Sequence, residues 1–228
     1  MHAKKSDFQI RLERFDRDKG ISARALELAR KRRRISDLTS NAGRNLIYYH
    51  GLLEKMEQKL GNAKGHSFLH LGGANGVLTK FLQERGGRAV NFEFDPKLCE
   101  MASELGNKNI VQGDALETLP FKKNTFDALV SDRFVLGGYR AIDRHLTPET
   151  RWNGSEAIIK EASRVVKPHG FFFVNGIAIH KSDIGPQDIE RVCRRYFRRI
   201  EPYFYNYELP GKKEGIFVPG LILSDPKK

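Results

Sequence analysis

The stretch from His66 to Pro96 constrains this fold more than any other part of the chain. Ser67 to Leu71 is a short apolar run bounded by turn residues, the pattern of a buried parallel strand. Gly72, Gly73 and Gly76 then crowd a five-residue turn with Ala74 and Asn75. Val77 to Glu84 has helical spacing, with Leu78, Phe81 and Leu82 on one face. Gly86 and Gly87 stop that helix. Ala89 to Phe94 reads as a second buried strand, with Glu93, Asp95 and Pro96 at its end. Such a strand–turn–helix–strand unit, closed by an acid, is built to bind a nucleotide. Small residues let backbone approach the ligand, the helix N-terminus offers unpaired N–H groups, and the acid accepts bonds from ribose hydroxyls.

The remaining chain is long enough for one sizeable core with a small appendage. Residues 1–65 read as a basic helical extension packed on a main domain of residues 66–228. No apolar run is long enough to span a membrane, and the first residues lack the apolar core of a signal peptide. A cytoplasmic protein with no membrane partner is therefore expected. Cys99 and Cys193 each fall in an expected helix, as free thiols and not as a disulfide or metal site.

The net charge of +12 is uneven. Residues 1–66 carry 16 Lys and Arg against 8 Asp and Glu, a net of +8. Residues 67–190 carry 15 against 16, a net of −1, and residues 191–228 carry 9 against 4, a net of +5. Basic ends around a neutral core suit an anionic partner, nucleic acid above all, and suit solvated helix faces equally. Lys31 to Arg34 are consecutive, so on a helix they point all round it and form no single-face patch.

Taken in order, Ser22 is expected to cap a helix reaching about Ile35. A second helix runs from Arg44 to Leu60, burying Leu46, Ile47, Leu53, Met56 and Leu60, and ends at Gly61. Tyr48 and Tyr49 ride on it, as a lid for a ligand or as packing. Pro96 to Leu105 is a helix opened by proline. Asn109 to Gln112 and Ala128 to Ser131 are the third and fourth strands. Residues 132–150 are longer than a simple connection, which suits an active-site insertion. Ser155 to Lys167 is a helix halted by Pro168 and Gly170, Phe171 to Ile179 the fifth strand, and Gln187 to Phe197 a helix. Tyr203 to Leu209 and Ile216 to Ser224 form an antiparallel hairpin. Strands alternate with helices, so the class is α/β with a mostly parallel sheet.

These elements and motifs, over residues 66–224, resemble the class I S-adenosylmethionine-dependent methyltransferases. FLHLGGANG resembles the family's glycine-rich first motif, and VNFEFDP its second. NIVQGDALETLPFKKNTFDALVS is similar to the third and fourth, and EASRVVKPHGFFFV to the segment before the fifth strand. The resemblance implies a Rossmann-like, seven-stranded, mostly parallel sheet with helices on both faces and a C-terminal antiparallel hairpin. It implies S-adenosylmethionine as cofactor. Gly72, Gly73, Ala74 and Gly76 would face its methionine and ribose moieties. Glu93 would accept both ribose hydroxyls, Phe94 would lie on the adenine, and Asp114 would take the adenine amino group, with Ala115 supplying a backbone N–H. Ser131, with Asp132, would sit beside the transferring methyl. A dinucleotide dehydrogenase is the rival, but its pattern needs glycines where Ala74 and Val77 stand.

Two departures bear on the site. His70 stands where the family has an acid, and it brings no fixed negative charge at neutral pH. Ala74 stands where the family has a glycine, at a cost if its φ is positive. Lys167–Pro168–His169–Gly170 is a milder change. The resemblance implies methyl transfer to a small molecule or RNA. The departures and the basic ends point instead to a nucleic-acid- or partner-binding module with a weakened cofactor site. No catalytic residue is assigned. Asp132 could steer an amine, act as a base, or pair with Arg133 or Arg140. Tyr139, His145 and Trp152 lie in the insertion. The adenine- and glutamine-modifying enzymes' Asn/Asp-Pro-Pro-Tyr motif is replaced here by Ser131-Asp132-Arg133-Phe134.

Overall fold

The computed structural model of the protein describes residues 42–132, 148–176, 186–208 and 215–227, together with residues 17, 19–21, 23–25, 27 and 135. Its elements are α1 (Ala42–Leu60), β1 (Ser67–Leu71), α2 (Val77–Glu84), β2 (Arg88–Glu93), α3 (Pro96–Glu104) and β3 (Ile110–Gln112), followed by β4 (Phe126–Asp132), α4 (Pro148–Val165), β5 (Val166–Asn175), α5 (Pro186–Tyr196), β6 (Phe197–Glu208) and β7 (Gly215–Pro226). The seven strands form one sheet in the order β3-β2-β1-β4-β5-β7-β6. Strands β1 to β5 pair in parallel. Strand β7 lies antiparallel to both β5 and β6. This is the expected Rossmann-like sheet with its terminal hairpin.

Both faces of the sheet are buried, which is why the strands read as continuous apolar runs. On one face Phe68, Ala89, Val130, Phe173 and Ile222 meet Leu52, Leu53 and Met56 of α1 and Leu78, Phe81 and Leu82 of α2. On the other, Leu69, Leu71, Phe92, Leu129 and Val174 meet Ile158, Ile159 and Ala162 of α4 and Val192 and Cys193 of α5. Tyr49 stands edge-on to Phe81 at 6.1 Å, so it packs. Two arginines of the N-terminal segment reach backbone carbonyls at the ends of α2 and α3. Arg17 Nη1 donates to Glu84 O at 3.0 Å and Arg24 Nη2 to Glu104 O at 3.4 Å. Both cysteines are free thiols in helices, and burial pushes the Cys193 thiol up to about 12.

Several boundaries move. Arg17, Lys19, Gly20 and Ile21 are already helical, so helix begins before Ser22. Helix α4 starts at Pro148, seven residues before Ser155. Proline lacks the N–H that a first helical residue leaves unpaired, so it opens the helix, and Gly154 does not interrupt it. Trp152 therefore lies on a helix. At its other end the chain turns straight into β5 at Val166, and Lys167 to Gly170 form a bulge between the pairs Phe126–Val166 and Ala128–Phe171. Asp127 anchors this bulge. It accepts from Lys167 Nζ at 2.7 Å, Ser67 Oγ at 2.6 Å and Ser67 N at 2.8 Å. Strands β6 and β7 are each twelve residues long, longer than the expected hairpin.

The Leu-Pro-Phe and Arg-Val motifs prove to be partners. Arg164 on α4 donates from Nη2 to Leu119 O at 2.9 Å and from Nη1 to Phe121 O at 2.7 Å. Glu161 completes the clamp by accepting from Leu119 N at 2.9 Å. The clamp fixes the turn before β4, and so the strand that leads to the site. Lys31 to Arg34, Arg133, Tyr139, Arg140, His145, and the side chains of Leu46, Ile47, Tyr48 and Trp152 lie outside the described residues.

Candidate cofactor site

The strand order reverses between β1 and β4, and a crevice forms beyond the carboxyl ends of strands at such a point. The glycine turn leaves β1 there. Gly76 caps α2 in the left-handed conformation, φ 74°, and no side chain makes a capping hydrogen bond to the helix N-terminus. Gly73 is packed so tightly that a Cβ would fall 1.8 Å from Asn91 Oδ1.

Ala74 also has a positive φ, 47°. That conformation costs an L-residue roughly 1–2 kcal/mol. Two side chains of β2 hold it there. Glu93 Oε2 accepts from Ala74 N at 2.8 Å, and Asn91 Nδ2 donates to Ala74 O at 3.2 Å. Glu93 Oε1 accepts from Asp95 N at 3.0 Å. The acid read from sequence as a ribose acceptor clamps the turn. Relieving the strain with Ala74→Gly is expected to raise stability by about 1 kcal/mol, seen as a melting temperature about 2–4 °C higher. A lower melting temperature would show that the clamp carries no strain.

His70 lies below the turn, paired in register with Asn91 and Val130. Its Nδ1 is 3.1 Å from Thr79 Oγ1, which donates to Asn91 Oδ1 at 3.1 Å. A hydroxyl has one proton, so Thr79 accepts from His70 and Nδ1 carries the hydrogen. Nε2 is left as a buried acceptor with no partner. Burial lowers the imidazole pKa to about 4, so this ring is neutral. The histidine–threonine–asparagine chain thus shapes the loop without charge.

Beyond β2, Phe94 is 57% exposed, a flat apolar ring left in the open. Gln112 Nε2 reaches Phe94 O at 3.4 Å. Glu93 pairs with Gln112, so Gly113 and Asp114 follow directly beside it. Asp114 Oδ1 accepts from Leu116 N at 2.9 Å, closing its own turn. Ala115 is buried beneath. Ser131, one residue before the end of β4 and paired with Leu71, is buried, and its Oγ accepts from Val135 N at 3.2 Å. The nine residues singled out from sequence therefore line one edge of the sheet. Asn91 and Thr79 were missed. The signal for Asn91 was present, a polar residue inside the apolar run AVNFEF.

A methyltransferase-domain profile matches residues 69–174, which span β1 to β5 and all of these residues. Over this stretch the chain is similar to the class I S-adenosylmethionine-dependent methyltransferases. A ribosomal RNA small subunit methyltransferase A from Novosphingobium aromaticivorans is 30% identical over 87 residues, covering 36% of this chain and 32% of the relative. The match thus spans about a third of that curated relative's length. The PH0226 protein of Pyrococcus horikoshii has a similar structure, with a TM-score of 0.58 and 20% identity over 84% of this chain and 94% of that one. A Burkholderia thailandensis 1,6-didemethyltoxoflavin-N1-methyltransferase, bound to that compound and S-adenosylhomocysteine, gives a TM-score of 0.51 and 15% identity over 78% of this chain and 79% of that one.

The residues present fit the family's cofactor. A helix N-terminus with no side-chain cap and a turn built from Gly72, Gly73, Ala74 and Gly76 bring backbone close to where it would lie. A buried carboxylate offers acceptors for ribose hydroxyls, and the Phe94 ring offers a surface for a purine. Among the described residues no group of three or more metal ligands occurs, and no helix is long and apolar enough to cross a membrane.

Proposed function

We propose that the chain is an S-adenosylmethionine-dependent methyltransferase. The observation that carries this reading is Glu93, whose carboxylate clamps the turn at Ala74 while standing at the end of β2 beside the open Phe94 ring. When bound, the cofactor supplies a methyl group on a positively charged sulfur. The chain's part is to hold and align. Gly72, Gly73, Ala74 and Gly76 bring backbone to the methionine and ribose. Glu93 accepts the ribose hydroxyls, since an ionised carboxylate has about four acceptor positions and the N–H groups of Ala74 and Asp95 occupy two. Phe94 stacks on the adenine, and Asp114 and Ala115 face its edge. Ser131 fixes the end of β4 next to the reacting carbon. Alignment of this kind supplies much of the acceleration in a direct displacement.

The acceptor is a small molecule or RNA. The alternative is a nucleic-acid- or partner-binding module that uses its basic ends. Arg17 and Arg24 speak against it in part, because both charges are engaged in docking the extension. Incubation with methyl-tritiated S-adenosylmethionine and separated pools of small metabolites, RNA and protein distinguishes the two. Label entering one pool is expected. Label entering none, with salt-dependent RNA binding, would favour the module.

A further inference from the structure

The end of the sheet opposite the cofactor crevice carries a row of cations. Ser67 pairs with Arg88, and Phe68 with Ala128, so Arg88, Ser67 and Asp127 stand level. Ala128 pairs with Phe171, Phe171 with Ser224, and Ser224 with Arg199, which brings Asp225 and Arg198 to that same level. Lys64 leads into β1, and Lys122 and Lys123 lead into β4. Lys227 leaves β7 beside the start of β6, its N–H bonded to Tyr196 O at 2.7 Å. Lys64, Arg88, Lys122, Lys123, Arg198 and Lys227 are all exposed. The row runs from β2 across β1, β4, β5 and β7 to β6. That is about five inter-strand spacings of roughly 4.8 Å, or about 24 Å.

Asp127 and Asp225 share this level, but each faces a base of its own, Lys167 at 2.7 Å and Arg199 at 2.9 Å. Glu84, at the end of α2, is paired with Lys80 at 2.7 Å. Among the described residues none of the six exposed cations pairs with a carboxylate. Arg88 Nη2 donates to Gly65 O at 3.2 Å and Lys227 Nζ to Arg194 O at 2.6 Å, contacts that orient a charge without neutralising it. Arg88, Lys122 and Lys123 come from residues 67–190, whose sequence charge sums to −1. Folding therefore sorts to one end a charge that the linear sequence hides. Cations lined up on neighbouring strands repel one another where they lie within the Debye length, about 8 Å in physiological salt. The fold gains nothing from that repulsion, whereas a polyanion laid along the row relieves it.

We propose that this row binds the phosphate backbone of a double-stranded nucleic acid. Its span matches about seven base pairs at roughly 3.4 Å each. Single strands are held by aromatic side chains on which bases stack, and bilayers by apolar side chains that insert. The large apolar side chains exposed among the described residues are Phe94, Leu116 and Phe204, and none of them lies at this end. What the row offers is charge at regular intervals, which suits the outside of a duplex. Contacts to phosphate position a duplex without reading its bases. The five residues of β1 separate the row from the glycine turn by about 17 Å, so a duplex held here leaves the crevice open. The proposal goes beyond the methyltransferase reading and does not depend on it.

Fluorescence anisotropy with a labelled RNA duplex of about 20 base pairs, a DNA duplex of the same sequence and the unpaired RNA strand tests this on the full chain. Between about 50 and 200 mM salt the native protein is expected to bind both duplexes, with log K falling on log salt at a slope of about −5 for six phosphate contacts. Lys123→Gln and Arg198→Gln, on different strands of the row, should each flatten the slope by about 1. Together they should cost about tenfold to a hundredfold in affinity at about 100 mM salt. Lys97→Gln, which removes one charge at the crevice end, should stay within about twofold of the native protein. No saturable binding of either duplex at about 50 mM salt overturns the proposal. Binding to phosphatidylserine vesicles alone, tighter binding of the unpaired strand, or an equal loss in Lys97→Gln also overturns it. S-adenosylhomocysteine affinity of the row variants is measured alongside and should match the native value within about twofold. Its loss together with duplex binding would show that the row supports the fold and not a ligand. Binding of S-adenosylhomocysteine without any duplex binding would remove this proposal and leave the methyltransferase reading standing.

Discussion

Glu93→Ala is expected to weaken S-adenosylhomocysteine binding by a factor of about a hundred or more. Hydrogen bonds to a charged group contribute roughly 1.5–3 kcal/mol each. Two ribose hydroxyls on one carboxylate therefore account for about 3 kcal/mol or more, a factor of at least about 10². The substitution also strands Ala74 N and Asp95 N, which Glu93 now satisfies at 2.8 and 3.0 Å. The positive φ at Ala74 loses its clamp, so the turn relaxes and affinity falls further. Glu93→Gln separates the two effects. Its amide has one acceptor oxygen, so it can satisfy one of the two N–H groups and keeps the side-chain volume. It should fall between native and alanine in both affinity and melting temperature. Unchanged affinity in a folded Glu93→Ala protein would mean that the carboxylate serves the turn alone.

The second large effect is a dependence of stability on pH carried by His70. The folded ring has its pKa lowered to about 4 by burial, against 6.5 for the free side chain. Above pH 6.5 both folded and unfolded chains hold a neutral ring, and its contribution is fully present. As pH falls below 6.5 the unfolded chain takes up a proton that the folded chain refuses, and stability drops until the folded ring protonates near pH 4. The gap corresponds to roughly 3 kcal/mol. Urea denaturation of the native protein and of His70→Asn, between pH 7 and pH 4, measures it. Groups common to both proteins cancel in the difference. The native protein should lose about 3 kcal/mol more than the variant across this window. Parallel curves would show that the ring is protonated in the fold or reaches solvent. An acid at this position, as the resemblance leads one to expect, would give no such loss near pH 6, which makes His70 a distinguishing feature of this chain.

The opening unit was legible because each of its signals is local. Strand β1 and helix α2 fall where the apolar run and the helical spacing place them, since glycines mark both ends of each. The start of α4 was not, because the helix is held by Arg164 and Glu161 at its far end. Pro168 read as a helix stop, whereas it sits in a bulge at the start of β5, a feature only strand pairing reveals. The candidate site divides the same way. Gly72, Gly73, Ala74, Gly76 and Glu93 lie within one stretch, Gly72 to Glu93, whose signals are local. The contact between Asn175 and Tyr203 was not legible, because it depends on β7 inserting between β5 and β6. No sequence spacing encodes that order. What sequence did carry was a polar residue ending the run FFFV and a lone glycine inside β7, at Gly220.

Calorimetric titration of the native chain with S-adenosylmethionine and, separately, S-adenosylhomocysteine tests the central claim most directly. Saturable binding of both, one molecule per chain and with a dissociation constant on the order of micromolar, is the predicted result. It would mean that the neutral His70 network and the clamped Ala74 turn support a working cofactor site. Absence of binding by either ligand to the folded protein would contradict it, and would show that these two departures have closed the site.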